Sequence, residues 1–344
     1  MEFDPNAAAQ FDGIYGLPDT PEEAGVVLIP VPWDATTSYR PGTAKGPQAI
    51  LKASYQVDLF SVIFGHPYQE GIAMLPESDE IHTLNKNARV CAEEIIAVGG
   101  NLHGDARLEA LLETVNASGE RLNNWVRSET ERWLDHEKLV GIVGGDHSTP
   151  YGAIQAFARR YPGMGILHLD AHADLRQAYE GFTWSHASIM YNVMTRIDGI
   201  GKLVQVGIRD LCDAEREMIE EDKRIVTYYD DRLAANLFSG ASWNEQCQNM
   251  IFELPQDVYL SFDIDGLDPF YCPNTGTPVP GNLSFSHITF LLSKLAQSGR
   301  RIVGFDLNEV APDPEEKNEW DGNVGARLLY NMIGCALESR QQKE

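Results

Sequence analysis

Apolar residues gather into short, nearly continuous runs at six places: Val26 to Val31, Leu139 to Val143, Gly165 to Leu169, Lys202 to Val206, Val258 to Phe262 and Arg301 to Phe305. Unbroken aliphatic runs of strand length are the pattern of strands buried on both faces. In the first run, Pro30 and Pro32 lack the N–H that a ladder needs, so pairing is expected only from Val26 through Ile29. Between the runs, helical spacing recurs over Asn87 to Val98, Leu108 to His136, Pro150 to Arg160, His186 to Thr195, Ala214 to Glu221 and Phe285 to Gln297. Strands alternating with helices predict an α/β fold in three αβα layers, with a central parallel sheet covered on both faces. No Pro/Ser-rich linker or internal repeat divides the chain. A single domain over residues 1–344 is therefore expected, with 1–24 as an N-terminal extension and 71–137 as a mostly helical peripheral segment.

Polar chemistry interrupts the pattern where three of these strands should end. After Leu167-His168-Leu169 come Asp170, His172 and Asp174, at every second position. In extended chain these would share one face at the C-terminal end of a strand, where open α/β sheets bind ligands. Ionisable groups crowded together there are costly without a cation. A second strand runs into Asp263 and Asp265, again two apart, and then Asp268-Pro269, which reads as a turn. A third runs into Gly144-Gly145-Asp146-His147-Ser148, where glycine permits close backbone approach and His147 offers a nitrogen ligand. Asp146 is expected to orient its loop and His168, deeper in its strand, to pack behind the ligands. Four aspartates and two histidines suffice for two divalent ions, and an oxygen-rich set suits manganese better than zinc. Two ions roughly 3.5–4 Å apart share and activate one water, which makes hydrolysis the natural reaction class.

Bulk properties narrow the field without choosing a substrate. A net charge of −24 argues against a nucleic-acid partner, which would need Lys and Arg to displace counterions, and suits a small cationic molecule. Cys91, Cys212, Cys247, Cys272 and Cys335 are scattered and odd in number, as expected of reduced thiols. No run approaches the roughly 20 apolar residues of a membrane span. The N-terminus has neither the basic nor the apolar region of a secretory signal, so a cytoplasmic location is expected.

Taken together, Gly144-Gly145-Asp146-His147-Ser148, Asp170-Ala171-His172-Ala173-Asp174 and Ser261-Phe262-Asp263-Ile264-Asp265-Gly266-Leu267-Asp268-Pro269 resemble the metal-binding signatures of the arginase/agmatinase (ureohydrolase) family. The likeness extends from Tyr39-Arg40-Pro41-Gly42 to Pro312 and implies the arginase-like fold. It also implies two manganese ions per chain, with nickel the alternative. His147, Asp170, Asp174 and Asp263 would surround one, and His172, Asp170, Asp263 and Asp265 the other, Asp170 and Asp263 bridging. By the same resemblance Asp174 helps move a proton toward the leaving amine, Glu309 pairs with the guanidinium, and His186 ferries protons. The family's homo-oligomers, trimers or hexamers, are expected by analogy.

The loop from Leu175 to Trp184 lacks the arginase pattern for an amino-acid head group, and Tyr179-Glu180-Gly181 with Ser185-His186-Ala187 is closer to agmatinases. Cleavage of agmatine to putrescine and urea is the leading expectation, with Glu180, Trp184 and Arg176 as further substrate contacts. Phe182 and Trp184 closing over a smaller substrate would favour free guanidine. Arg176 meeting a carboxylate would favour a guanidino acid such as guanidinobutyrate or guanidinopropionate. Outside this class stand a non-catalytic subunit, which would be expected to lose ligands, and a mononuclear zinc deacylase, which would not need His172 or Asp265. A nucleotide-binding protein would show a Gly-rich fingerprint after a strand, and none is present.

Overall fold

The computed structural model describes residues 3–341. Its centre is an eight-stranded sheet of β1 (Val26–Val31), β2 (Ile72–Met74), β3 (Leu139–Gly144), β4 (Gly165–Leu169), β5 (Lys202–Ile208), β6 (Ile225–Tyr229), β7 (Asp257–Asp263) and β8 (Arg301–Asn308). The strand order is β2-β1-β3-β8-β7-β4-β5-β6, and every pairing is parallel. Successive side chains in a strand face opposite ways, so each apolar run feeds two cores. Leu28, Leu167, Val204, Leu260 and Phe305 pack with the helices Gly46–Ser54, Trp243–Phe252, Phe285–Ala296 and Trp320–Gln341. Ile29, Ile142, Ile166, Leu203 and Tyr259 pack with Asp79–Ile96, Ala106–Asp135, Tyr151–Arg160 and Ile189–Arg196. This is the expected three-layer arrangement.

Pairing at the first strand extends further than its prolines suggest, since Pro30 and Val31 stand in register with Val143 and Gly144. The amide of Val26 and the carbonyl of Leu28 face β2, bonding Gly71 and Leu75. By the same alternation the missing N–H of Pro30 faces that side, where β2 has already ended. No ladder bond is lost. The short strand β2 interrupts the otherwise helical 71–137 segment, and Ile14, Tyr15 and Leu17 of the N-terminal stretch are buried in the first core. All five cysteines are free thiols, Cys247, Cys272 and Cys335 fully buried. Among the described residues, no helix is long and apolar enough to cross a membrane.

Candidate metal centre and substrate cleft

Strands β3, β4, β7 and β8 are neighbours, and the chain leaving their C-terminal ends brings the predicted site residues together. The means differ from simple strand alternation. Strand β4 stops at Leu169, so Asp170, His172 and Asp174 lie in a loop, with Asp174 in the left-handed region at φ 55°. Such a backbone is strained for a residue other than glycine and is held by its surroundings, here a bond from the Tyr191 amide to the Asp174 carbonyl. Asp263 is the last residue of β7, while Asp265 sits in the 3-10 turn Ile264–Gly266 that Asp263 caps, Oδ1 accepting the Asp265 amide at 2.8 Å. Turns, not a period of two, aim these carboxylates.

Two groups of ligand atoms result, and they share one carboxylate. Nδ1 of His147 lies 3.0 Å from Asp170 Oδ2, 3.3 Å from Asp174 Oδ2 and 3.3 Å from Asp263 Oδ2. Nδ1 of His172 lies 3.4 Å from Asp170 Oδ1 and 3.1 Å from Asp265 Oδ2. Asp170 thus offers one oxygen to each group, while Asp263 brings Oδ2 to the first and uses Oδ1 to cap the Asp265 turn. Asp170, His172 and Asp265 come close enough to hold one ion, and His147, Asp170 and Asp174 are close enough for another.

The hydrogen-bond pattern tests whether a cation fits. Nε2 of His147 meets Ser261 Oγ at 2.9 Å, and Ser261 Oγ donates to Asp306 Oδ1 at 3.0 Å. With the serine proton committed to Asp306, Nε2 must carry the imidazole hydrogen and Nδ1 is left as a lone pair. A lone pair facing three carboxylate oxygens is a cation site. Without the cation the cluster must take up protons. Burial opposes charge on His147, yet bonds to Asp170, Asp174 and Asp263 hold its pKa well above the ordinary histidine value. Burial and the charge of Asp170 push Asp174 up to about 6, and burial and Asp265 raise Asp263 well above the carboxylate range.

Beside this cluster, Glu309 is buried with φ 62°, its Oε1 accepting the His147 amide at 3.0 Å and its Oε2 without a partner. His186 Nδ1 stands 3.5 Å from Glu309 Oε1, and its Nε2 is likewise buried and unpartnered. Burial disfavours the imidazolium of His186, but Glu309 outweighs it and raises the pKa to about 9. Asp146 accepts the Ser148 amide at 2.9 Å and so shapes its loop as expected; burial and Glu309 push its carboxyl up to about 7. Asp268 accepts the Phe270 amide, holding a turn.

A cleft of about 260 Å³ opens from the centre, lined among others by His172, Asp174, Arg176, His186, Asp210 and Glu215. Arg176 is in the wall but leans on Glu215 at 3.6 Å, and its guanidinium stacks on Tyr179. Trp184, Glu180 and Glu309, expected to touch substrate, are not in the lining itself, though Glu180 and Glu309 both face His186, which is. Positive φ at Glu180 and Gly181 turns the chain, sending Phe182 into a cluster with Ala92, Ile95 and Val115. Trp184 packs at a tilt against Tyr151 with Arg196 over its ring, and the Glu180 backbone packs against Gly100 while its carboxylate faces His186. Phe182 and Trp184 therefore do not close the cleft.

Several residues that shape the site gave no separate signal in the sequence. Arg209 donates to the carbonyls of Gly207, Asp265, Gly266, Leu267 and Val279, tying the Asp265 turn to the cleft wall at Thr277–Val279. Asp210 lines the rim, exposed and in no ion pair among the described residues. Ser261 and Asp306 are single polar positions inside apolar runs.

Comparison with known proteins gives a consistent likeness. The profile described as Arginase family matches residues 24–334. The chain is 33% identical over 322 residues to the N(1)-aminopropylagmatine ureohydrolase of Thermus thermophilus, covering 93% of this chain and 94% of that one. It is 29% identical to the agmatinase of Bacillus cereus, over 85% of each chain. Among solved structures, the agmatine ureohydrolase of Thermoplasma volcanium superposes with a TM-score of 0.71 at 22% identity, covering 97% of both chains. The proclavaminate amidino hydrolase of Streptomyces clavuligerus gives 0.70 at 23% identity, over 96% of this chain and 99% of that one.

Proposed function

From the premise that this chain belongs to the arginase family, as a ureohydrolase of the agmatinase-like branch acting on amidine C–N bonds, we propose that its substrate is an alkylguanidine with a cationic amine tail, agmatine being the simplest. The observation that carries this reading is the acidic rim: among the described residues Asp210 has no cation partner, whereas the nearby cation Arg176 is already engaged by Glu215. A cationic tail has a counter-charge waiting there, and the carboxylate tail of a guanidino acid does not. N(1)-aminopropylagmatine is the second reading, favoured by the Thermus thermophilus relative.

His147, Asp170, Asp174 and Asp263 would hold one ion, and His172, Asp170 and Asp265 the other. Manganese suits the oxygen-rich set, with nickel the alternative. When bound, two such ions lower the pKa of a shared water enough to make it a nucleophile near neutral pH. The rest falls to the protein. Glu309, buried with one free oxygen, receives the planar guanidinium and sets its carbon toward the centre. Asp174, beside His147, accepts the proton that the attacking water gives up and passes it to the departing nitrogen as the C–N bond breaks. The products are urea and the amine. His186, lining the cleft and 3.5 Å from Glu309, exchanges protons with solvent.

The test is urea release by manganese- or nickel-loaded protein from agmatine, N(1)-aminopropylagmatine, guanidine, arginine, guanidinobutyrate and guanidinopropionate, with Asp263→Ala as control. The expected result is the highest kcat/KM on one of the two amine-tailed compounds and none in the control. Preference for guanidine or a guanidino acid would overturn the substrate assignment.

A further inference from the structure

One cross-strand row of the sheet breaks the rule that its strands are apolar. Asp306 of β8 is in register with Ser261 of β7, Ser261 with His168 of β4, His168 with Gln205 of β5, and Gln205 with Thr227 of β6. Above and below this rung the same strands carry Phe305, Leu307, Leu260, Phe262, Leu167, Leu169, Val204 and Val206. A polar row that is fully buried from Asp306 through Gln205 and half-buried at Thr227 needs a purpose, because each buried group in it must be desolvated and matched. The Asp306–Ser261 end fixes His147, as described above. The other end reaches Asp170.

His168 is fully buried, its Nε2 2.8 Å from Asp170 Oδ2, and its ring lies near those of the ligands. Proximity alone would make it a candidate ligand. The network behind it excludes that. Gln205 Nε2 donates to the Ala173 carbonyl at 2.7 Å, and Gln205 Oε1 accepts the Thr227 hydroxyl at 2.9 Å, so the amide orientation is fixed. The amide nitrogen, 3.0 Å from His168 Nδ1, can then only donate to it. Nδ1 is the acceptor, Nε2 carries the hydrogen, and no lone pair faces the cluster.

We infer that His168, with Gln205 and Thr227 behind it, is a positioning residue: an N–H donor that holds Asp170 so that its two oxygens serve both cation groups. The inference rests on the two-ion reading of the centre. A donor to a ligating carboxylate restricts its rotation, and loss of such a partner lowers metal affinity about 10-fold or more.

The experiment is manganese titration of the metal-free protein, with bound ions per chain and affinity as the readout, on wild type, His168→Gln, His168→Leu and Gln205→Met. Glutamine can place an amide N–H where the ring Nε2–H stood, so His168→Gln is expected to keep two ions with affinity within a few-fold of wild type. His168→Leu is expected to weaken both ions about 10-fold or more, because both depend on Asp170. Gln205→Met, which keeps the ring but frees its tautomer, should show a smaller loss and serves if His168→Leu does not fold, as judged by a cooperative thermal transition. Unchanged binding in His168→Leu, or in Gln205→Met should that variant stand alone, overturns the inference. Loss of one ion alone in His168→Gln also overturns it, since that is the mark of a ligand. Wild type binding fewer than two ions would overturn the two-ion reading itself and the inference with it, an outcome distinguishable because no substitution is involved.

Discussion

Replacing Ser261 by alanine should separate metal affinity from fold stability. In the wild-type chain the Ser261 hydroxyl accepts from His147 Nε2 at 2.9 Å and donates to Asp306 at 3.0 Å, both partners being fully buried. Without it the nearest acceptor for the His147 N–H is Asp306 Oδ1 at 3.8 Å, beyond hydrogen-bond range, and an orphaned buried donor costs about 1–3 kcal/mol. Asp306 suffers less, because the Phe262 amide and the Asn308 side chain still donate to it. A destabilisation of about 2 kcal/mol is therefore expected in the metal-free protein. The second effect is on the tautomer. The hydrogen is then drawn to Nδ1, where three carboxylates lie at 3.0–3.3 Å against the one at 3.8 Å from Nε2, and the ligand lone pair is lost. Affinity for the ion at His147 should fall about 10- to 100-fold, with the ion at His172 less affected. Denaturant unfolding of the metal-free protein gives the first quantity, and manganese titration gives the second. A loss of stability with unchanged affinity would show that Ser261 only fills space and would refute the tautomer argument.

Two further outcomes follow from the cleft. His186 has its pKa raised from 6.5 to about 9, against the opposition of burial, by Glu309. Its stabilisation should be fully present below about pH 6.5 and disappear as pH rises through about 9, up to about 3 kcal/mol in all; metal-free His186→Asn should lack this decline in unfolding experiments at pH 6 to 10. Asp210→Asn removes the unpaired rim charge, so KM for agmatine should rise about 10-fold with kcat nearly unchanged, an uncoupling of about 1.4 kcal/mol of binding. Equal loss on free guanidine, which has no tail, would assign Asp210 another role.

The long apolar runs and the three acidic strand ends were legible because each is a local pattern: a continuous stretch for a doubly covered strand, and charge packed where burial is expected. The short strand β2 and the edge strand β6, whose residues are mostly half-buried, are too brief or too mixed to stand out. The helix Trp320–Gln341 was hidden by Gly322, Gly325 and Gly334, which read as helix breakers. They serve instead for contact, since added side-chain carbons there would meet Ala49, Ile50 and Phe64 at 2.7–3.1 Å. Trp184 lies outside the cleft lining for the opposite reason: neighbours along the chain part in space where the backbone turns at Glu180 and Gly181. The polar rung is the clearest gap. Asp306, Ser261, His168, Gln205 and Thr227 each look like an isolated exception in a strand, and only the register of five strands makes them one feature.

That rung also explains how the protein assembles so much negative charge before any ion arrives. Asp146, Asp170, Asp174, Asp263, Asp265, Asp306 and Glu309 are all buried at or near the C-terminal ends of the four central strands. Burial and mutual repulsion drive Asp146, Asp174 and Asp263 toward their protonated forms. Asp170 goes the other way: burial opposes its charge as it does the others', but His168, then His147 and His172, hold it well below the ordinary carboxylate range. Asp170, the carboxylate that faces both ligand groups, is thus kept as an anion, while Asp174 and Asp263 are pushed toward protonated forms whose protons an arriving cation displaces. Placing the histidine support on Asp170 gives both cation groups a fixed anionic corner at once. The cost of gathering the remaining carboxylates is then relieved by the ion itself, which couples the stability of this part of the fold to metal loading.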